Sequence, residues 1–327
     1  MPSIKDVAKE AGVSVATVSR VINQNGNVTP NTTKEVLEAI QKLEFKPNLF
    51  GKGLRSGETK IIMVMLSSLA NTFCSSIIRS IDKIAGSKGY YTMICTTDGN
   101  PDKEDYYINF ALNGLFSGII ILNSTLNEKQ MSDLSKKLPT VQCNEFADTK
   151  NTPYVTINNE QAAYDAVSLL IKNGRKRIVF NTVNNNLIST RTRFKGYKRA
   201  LDENGIAFDE NLVVYGNYGY RNAVEAFDDY IEQGNEFDAV FSVSDRMAAG
   251  AMYAAISRGL NIPNDIEIIG FDNTDISYTS TPQITTVSQP HFELGKCAFE
   301  LLEKVIKKEE TKNIILDYNL IIRDSTK

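Results

Sequence analysis

Val15, Ala16 and Arg20 are the residues of this chain whose types and spacing point most directly to a chemistry. They fall in a short helical pattern that turns Val18, Val21 and Ile22 inward and leaves Val15, Ala16, Ser19, Arg20 and Asn23 facing out. Two apolar side chains exposed at the start of a helix gain nothing from water. They can touch thymine methyls, and Arg20 one turn later can reach guanine O6 and N7. The elements that must hold this face are short. Ile4, Val7, Ala8 and Ala11 form the apolar stripe of a first helix, with Lys5, Asp6, Lys9 and Glu10 opposite. Gly12 breaks that helix, and Ser14 is a good N-cap for the second. Thr29-Pro30 reads as an N-cap followed by proline at the first helical position. It opens a third helix whose Val36, Ala39, Ile40 and Leu43 complete a small core. The pattern predicts a helix-turn-helix that docks on DNA; its other reading is a helical bundle used for oligomerisation.

No comparable constellation supports catalysis. His291 is the only histidine and has no cysteine or serine partner in sequence, so a surface or capping role is expected and the chain is not read as an enzyme. Cys74, Cys95, Cys143 and Cys297 are far apart, without metal-ligand or redox spacing; reduced thiols in a cytoplasmic protein are expected, with no metal and no cofactor. The first strand runs into Met65-Leu66-Ser67-Ser68-Leu69, with no glycine to cradle a dinucleotide phosphate. With 327 residues the chain exceeds one ordinary domain. Residues 1–60 hold nine Lys/Arg against six Asp/Glu and the remainder 27 against 33, a sign asymmetry that favours a DNA-facing head. An apolar leader and an 18-residue apolar run are both missing, which argues against secretion and against a membrane span.

From Ile61 onward, short β-rich runs alternate with helical stretches, the mark of parallel sheets with crossover helices. Strands are predicted at 61–66, 90–95, 118–122 and 140–143, then at 177–181, 212–215, 239–243 and 267–271. Intervening helices are expected near 73–87, 103–116, 128–137, 160–172, 193–204, 220–233 and 245–258. Two such units suggest two lobes. Ligands of open α/β sheets bind beyond the carboxyl ends of the strands, here the cleft between lobes. That rule selects Phe73 and Ser124 from the first lobe, Asn144 at the junction, and Arg193, Tyr218, Asp245 and Asp272 from the second as effector-binding candidates. Asp245 also reads as the cap of its own helix, and Arg193 as a surface helix residue.

Ile4-Lys5-Asp6-Val7-Ala8, Ala11-Gly12-Val13-Ser14, the run Ala16 to Asn23 and Phe45-Lys46-Pro47-Asn48 resemble the headpiece of the LacI/GalR family of bacterial transcription regulators. The resemblance implies that Val15, Ala16 and Arg20 read bases and that Asn23 and Thr29 hold phosphates. Ser14, Thr17 and Ser19 complete the helix's DNA-binding set. Phe45 stands where many members have Tyr. It also implies a headpiece over residues 1–46, a hinge over 47–60 and a core over 61–327. That core is a two-lobed, periplasmic-binding-protein-like α/β fold of parallel sheets, with an N-lobe of about 61–158 and 290–320 and a C-lobe of about 159–289 and 321–327. In the family the hinge orders on operator DNA, with the Leu matching Leu54 wedged into the minor groove beside Arg55. Gly51 and Gly53 make a reluctant hinge or a flexible linker, since each glycine costs a helix about 1 kcal/mol relative to alanine.

Carried through the core, the resemblance implies a homodimer on double-stranded operator DNA, with a sugar or sugar-phosphate effector held by Arg193 and Asp272 against Tyr218. A transport binding protein would share the lobes but would need a signal peptide. The stretches Gln161 to Val167, Lys195 to Leu201 and Gly259 to Thr274, with Asp324-Ser325-Thr326-Lys327, look most like family members that govern catabolite control. Those are activated by a seryl-phosphorylated phosphocarrier protein, through positions matching Phe292, Glu300 and Arg323. Glu300 would repel a phosphate, so a paralogue with its own effector is the preferred expectation.

Overall fold

The computed structural model describes residues 2–23, 26–45 and 59–327, and the chain divides into two compact units, Met1–Thr59 and Lys60–Lys327. In the first, α1 (Ile4–Glu10), α2 (Val15–Ile22) and α3 (Pro30–Lys42) close around Val7, Val18 and Val36, all fully buried, with Ala8 and Ala39 beside them. Each helix starts on a side-chain cap that satisfies a backbone N–H with no partner in its own helix. Ser3 and Asp6 form a capping box on α1, Ser14 Oγ accepts from Thr17 N at 3.1 Å, and Thr29 Oγ1 accepts from Thr32 N at 3.3 Å. Gly12 turns the chain between α1 and α2 at φ +64°, a conformation open to glycine without strain. Most of the predicted hinge, with Leu54 and Arg55, lies outside the described residues.

The second unit holds two six-stranded sheets. The first runs through β1 (Ile61–Leu66), β2 (Tyr91–Thr96), β3 (Gly118–Ile121), β4 (Thr140–Cys143) and β5 (Tyr154–Ile157), with α4 (Thr72–Ser87), α5 (Pro101–Ala111) and α6 (Glu128–Ser135) as its crossovers. The chain then passes to α7 (Asn159–Lys172) and the second sheet. That sheet comprises β6 (Ile178–Val183), β7 (Val213–Gly216), β8 (Ala239–Ser242), β9 (Glu267–Asp272) and β10 (Thr285–Ser288), interleaved with α8 (Ile188–Glu203), α9 (Tyr220–Glu232), α10 (Asp245–Ser257) and α11 (Asp275–Thr279). A long helix, α12 (His291–Ile306), returns to the first sheet and is followed by β11 (Ile314–Leu316). The last strand, β12 (Asn319–Ile321), crosses back again. Strand order is β11-β5-β4-β3-β1-β2 in one sheet and β12-β10-β9-β8-β6-β7 in the other; every pair is parallel except β10 with β12. Parallel sheets are covered on both faces, which is why β1 is buried at all six positions and reads as an unbroken apolar run.

Several boundaries depart from the expectation. The helix predicted to reach Phe116 stops at Ala111, because Gly114 takes a left-handed turn at φ +77° just beyond its cap. Conversely α8 begins at Ile188, five residues ahead of Arg193; its N-cap is Leu187, whose side chain makes no capping bond, so no start signal stands in the sequence. Strands β5, β10, β11 and β12 have no counterpart among the predicted strands. The last crossing falls between Leu316 and Asn319, earlier than residue 320.

Candidate functional site

Two surfaces carry the residues selected from the sequence. On the headpiece, α2 spends Val18 on the core and leaves Val15 38% exposed, with Ala16 and Arg20 also facing out. Ser19 and Asn23 are half-buried and bonded to one another, Asn23 Nδ2 donating to Ser19 Oγ at 3.2 Å. Ser14 and Thr29 cap α2 and α3, so their hydroxyls already serve the fold.

In the core unit, the loops after β1, β3, β4, β6, β7, β8 and β9 all contribute to a cavity of about 180 Å³ between the two sheets. Phe73, Arg193, Tyr218, Asp245 and Asp272 line it. Phe73 is 3% exposed and packs edge-on against the His291 ring at 5.1 Å. The Arg193 guanidinium lies 3.5 Å from the centre of the Phe271 ring, with Nε donating to Asn159 Oδ1 at 2.9 Å and Nη1 to the Val243 carbonyl at 2.7 Å. It is thus a buried residue of α8, and the surface alternative is excluded. Tyr218 from the turn before α9 is half-exposed, its hydroxyl 3.5 Å from that of Thr190. Asp272 ends β9 at φ +104° and accepts from Gln289 Nε2 at 2.7 Å. Burial pushes its carboxyl up to about 7, Arg193 pulls it back, and Asp245 and Glu145 raise it further.

Three candidates stand differently from the expectation. Asp245 does not cap its helix: Ser244 is the N-cap, bonding Met247 N at 3.3 Å. The Asp245 carboxylate instead takes Thr274 N at 2.6 Å, Thr274 Oγ1 at 3.0 Å and Thr286 Oγ1 at 2.5 Å, pinning the loop after β9. Ser124 lies outside this cavity and lines a neighbouring one of about 800 Å³, where its hydroxyl donates to Glu104. Asn144 lines neither; its side chain is buried, with Oδ1 unpartnered. The next residue, Glu145, lines both cavities, buried and accepting from Ser189 N and Ser189 Oγ across the cleft. Sequence reasoning missed it by one position, because the side-chain direction flips at each step past a strand. His291 is also not a surface residue. It is half-buried, and Nε2–H donates to the Asp272 carbonyl at 2.6 Å.

Among the described residues no helix is long and apolar enough to cross a membrane. The four cysteines are free, with burial raising the thiol of Cys74 to about 12. Residues 3–48 match the model of bacterial regulatory proteins of the lacI family, and residues 167–326 that of a periplasmic binding protein-like domain. The chain is 40% identical to catabolite control protein A of Priestia megaterium over 99% of both sequences. Its fold is similar to that of the lac repressor dimer bound to operator and the anti-inducer ONPF (TM-score 0.89, 26% identity, 99% of each chain). It is also similar to that of the transcriptional regulator CelR–cellobiose complex (TM-score 0.74, 26% identity, 99% of this chain and 100% of that one). A headpiece built to expose one face of its second helix, joined to a two-lobed core with a cavity at the strand ends, therefore agrees with every similarity, and the chain belongs to the lacI family of bacterial transcription regulators.

Proposed function

We propose that the chain is a homodimeric repressor of carbohydrate-metabolism genes, placing two copies of α2 in successive major grooves of a pseudo-palindromic operator. A sugar-class ligand in the cleft sets its DNA affinity. The observation that carries this reading is the division of α2: its inner face is spent on the three-helix core, while Val15, Ala16 and Arg20 remain exposed at the spacing that suits base edges. A dimer is supported by Tyr91, Met93 and Ile94 on the edge strand β2 and by Tyr220, Tyr253 and Ile256 on α9 and α10. Such exposed apolar side chains suit a second copy. The ligand's part rests on lobe linkage: a molecule that binds one arrangement of the lobes more tightly shifts their equilibrium and with it the DNA affinity.

The test is fluorescence anisotropy of the protein–operator complex titrated with sugars and sugar phosphates at fixed salt. Release by one sugar identifies an inducer and tightening a corepressor; a complex that none of them alters contradicts the ligand's part.

A second reading, activation by a seryl-phosphorylated phosphocarrier protein, is favoured by the 40% identity to catabolite control protein A. It stands second because the surface opposes it. Glu300 on α12 carries the wrong charge for a phosphate. The Arg323 guanidinium is committed to Ser277 Oγ at 3.0 Å, the Ile284 carbonyl at 2.8 Å and Asn273 Oδ1 at 2.6 Å. Phosphorylation-dependent capture of the phosphocarrier would reverse the order.

A further inference from the structure

We propose that the cleft selects a small polyhydroxylated ligand carrying a protonated amine, an amino sugar, over neutral and phosphorylated sugars; this rests on the cleft being the effector site. Charge and hydrogen-bond capacity along the cavity wall favour such a ligand. Three carboxylates line it, Glu145 from the first lobe and Asp245 and Asp272 from the second. Asp245 is satisfied by Thr274 and Thr286. Glu145 and Asp272 are each 7% exposed, and among the described residues neither makes an ion pair within 4 Å. The bonds they accept come from neutral donors, Ser189 and Asn144 to Glu145 and Gln289 to Asp272.

Two cations line the same wall, and each gives part of its hydrogen-bond capacity to other partners. Arg193 is stacked on Phe271 and bonded to Asn159 and Val243. Arg246, half-buried, donates Nη1 to the Ala70 carbonyl at 2.7 Å. Among the described residues no lysine or histidine lines the cavity.

A phosphate offers only acceptors and negative charge to such a wall. An ammonium offers three donors and the opposite charge, and the remaining hydroxyls can use Ser67, Asn123 and Thr274. Phe73 and Tyr218, which line the cavity, supply the aromatic faces that favour both a sugar ring and a cation. Burial is the largest influence on the Glu145 and Asp272 carboxyls and raises both, against a smaller lowering by the Arg193 charge.

The experiment is isothermal titration of the full chain with D-glucosamine, N-acetyl-D-glucosamine, D-glucose and glucose 6-phosphate, run on the parent and on Glu145→Gln, Glu145→Asp, Asp272→Asn and Tyr218→Ala. The proposal expects glucosamine to bind at least tenfold more tightly than glucose or its N-acetyl derivative, with glucose 6-phosphate weakest. That ratio should collapse towards one in Glu145→Gln and persist in Glu145→Asp, which keeps the charge. Glucosamine binding that is no tighter than that of glucose, or absent, overturns the proposal. If sugars of any charge bind and are weakened by Asp272→Asn and Tyr218→Ala, the cleft survives as the effector site without the amine. Binding that neither variant weakens overturns the cleft reading itself.

Discussion

Replacing Asp272 by asparagine separates charge from shape at the centre of the cleft. The carboxyl ends β9, is almost fully buried, and titrates in the folded chain at about 7 against 3.8 for an ordinary aspartate, with burial as the largest cause. As pH rises from about 4 to about 7 the unfolded chain releases this proton while the folded chain holds it. The folded state therefore binds more protons across that window, and stability falls with rising pH until it levels off above 7. A displacement of about three pH units at 1.36 kcal/mol each amounts to about 4 kcal/mol. The amide that replaces the carboxyl would keep an acceptor for Gln289, and asparagine suits the positive φ that Asp272 adopts, so the variant removes the charge with little change in packing. Urea unfolding followed by far-UV circular dichroism should show Asp272→Asn close to the parent near pH 4 and more stable by a few kcal/mol at pH 8. A stability difference that does not grow between those pH values refutes the reasoning.

Other substitutions probe separate links. Arg20→Ala should weaken operator binding by about 1 to 3 kcal/mol and relax selection at one base pair, read by anisotropy on operator variants; unchanged selectivity would remove Arg20 from base reading. At Gly196 a Cβ would lie 2.1 Å from the Glu160 carbonyl oxygen, where α8 crosses α7. Gly196→Ala should therefore lower the stability of the core by about 3 kcal/mol or more in urea, and a parent-like midpoint would show that the helices can part cheaply. Val18→Ala, at a position with no solvent exposure, should cost the headpiece about 2 kcal/mol while leaving the melt of the core unchanged. Loss of core stability would contradict two independently packed units.

The headpiece was legible because its signals are local. Gly12, Ser14, Thr29 and Pro30 punctuate the helices, and the 3.6-residue spacing around Val7, Val18 and Val36 names their inner faces. The buried strands were legible for the same reason, β1 and β9 being buried along their whole length. Short strands such as β11 and β12, three residues each with half-exposed side chains, carry too little pattern and form only because a neighbour offers an edge. The cleft was half legible. The strand-end rule located Phe73, Arg193, Tyr218 and Asp272, but it cannot say which of two adjacent residues faces inward, so it picks Asn144 where Glu145 lines the cavity. Nor can it foresee that Asp245 is spent on Thr274 and Thr286, since that bonding joins residues 29 and 41 positions apart.

The central claim is that the exposed face of α2 reads DNA sequence. Its most direct test is equilibrium anisotropy of the intact chain on a pseudo-palindromic operator and on a scrambled duplex of the same length and composition, repeated over a salt series. Operator binding should be at least about a thousandfold tighter than binding to the scrambled duplex at physiological salt, with that preference reduced in Arg20→Ala. Equal affinity for the two duplexes, falling in parallel with salt, would contradict it.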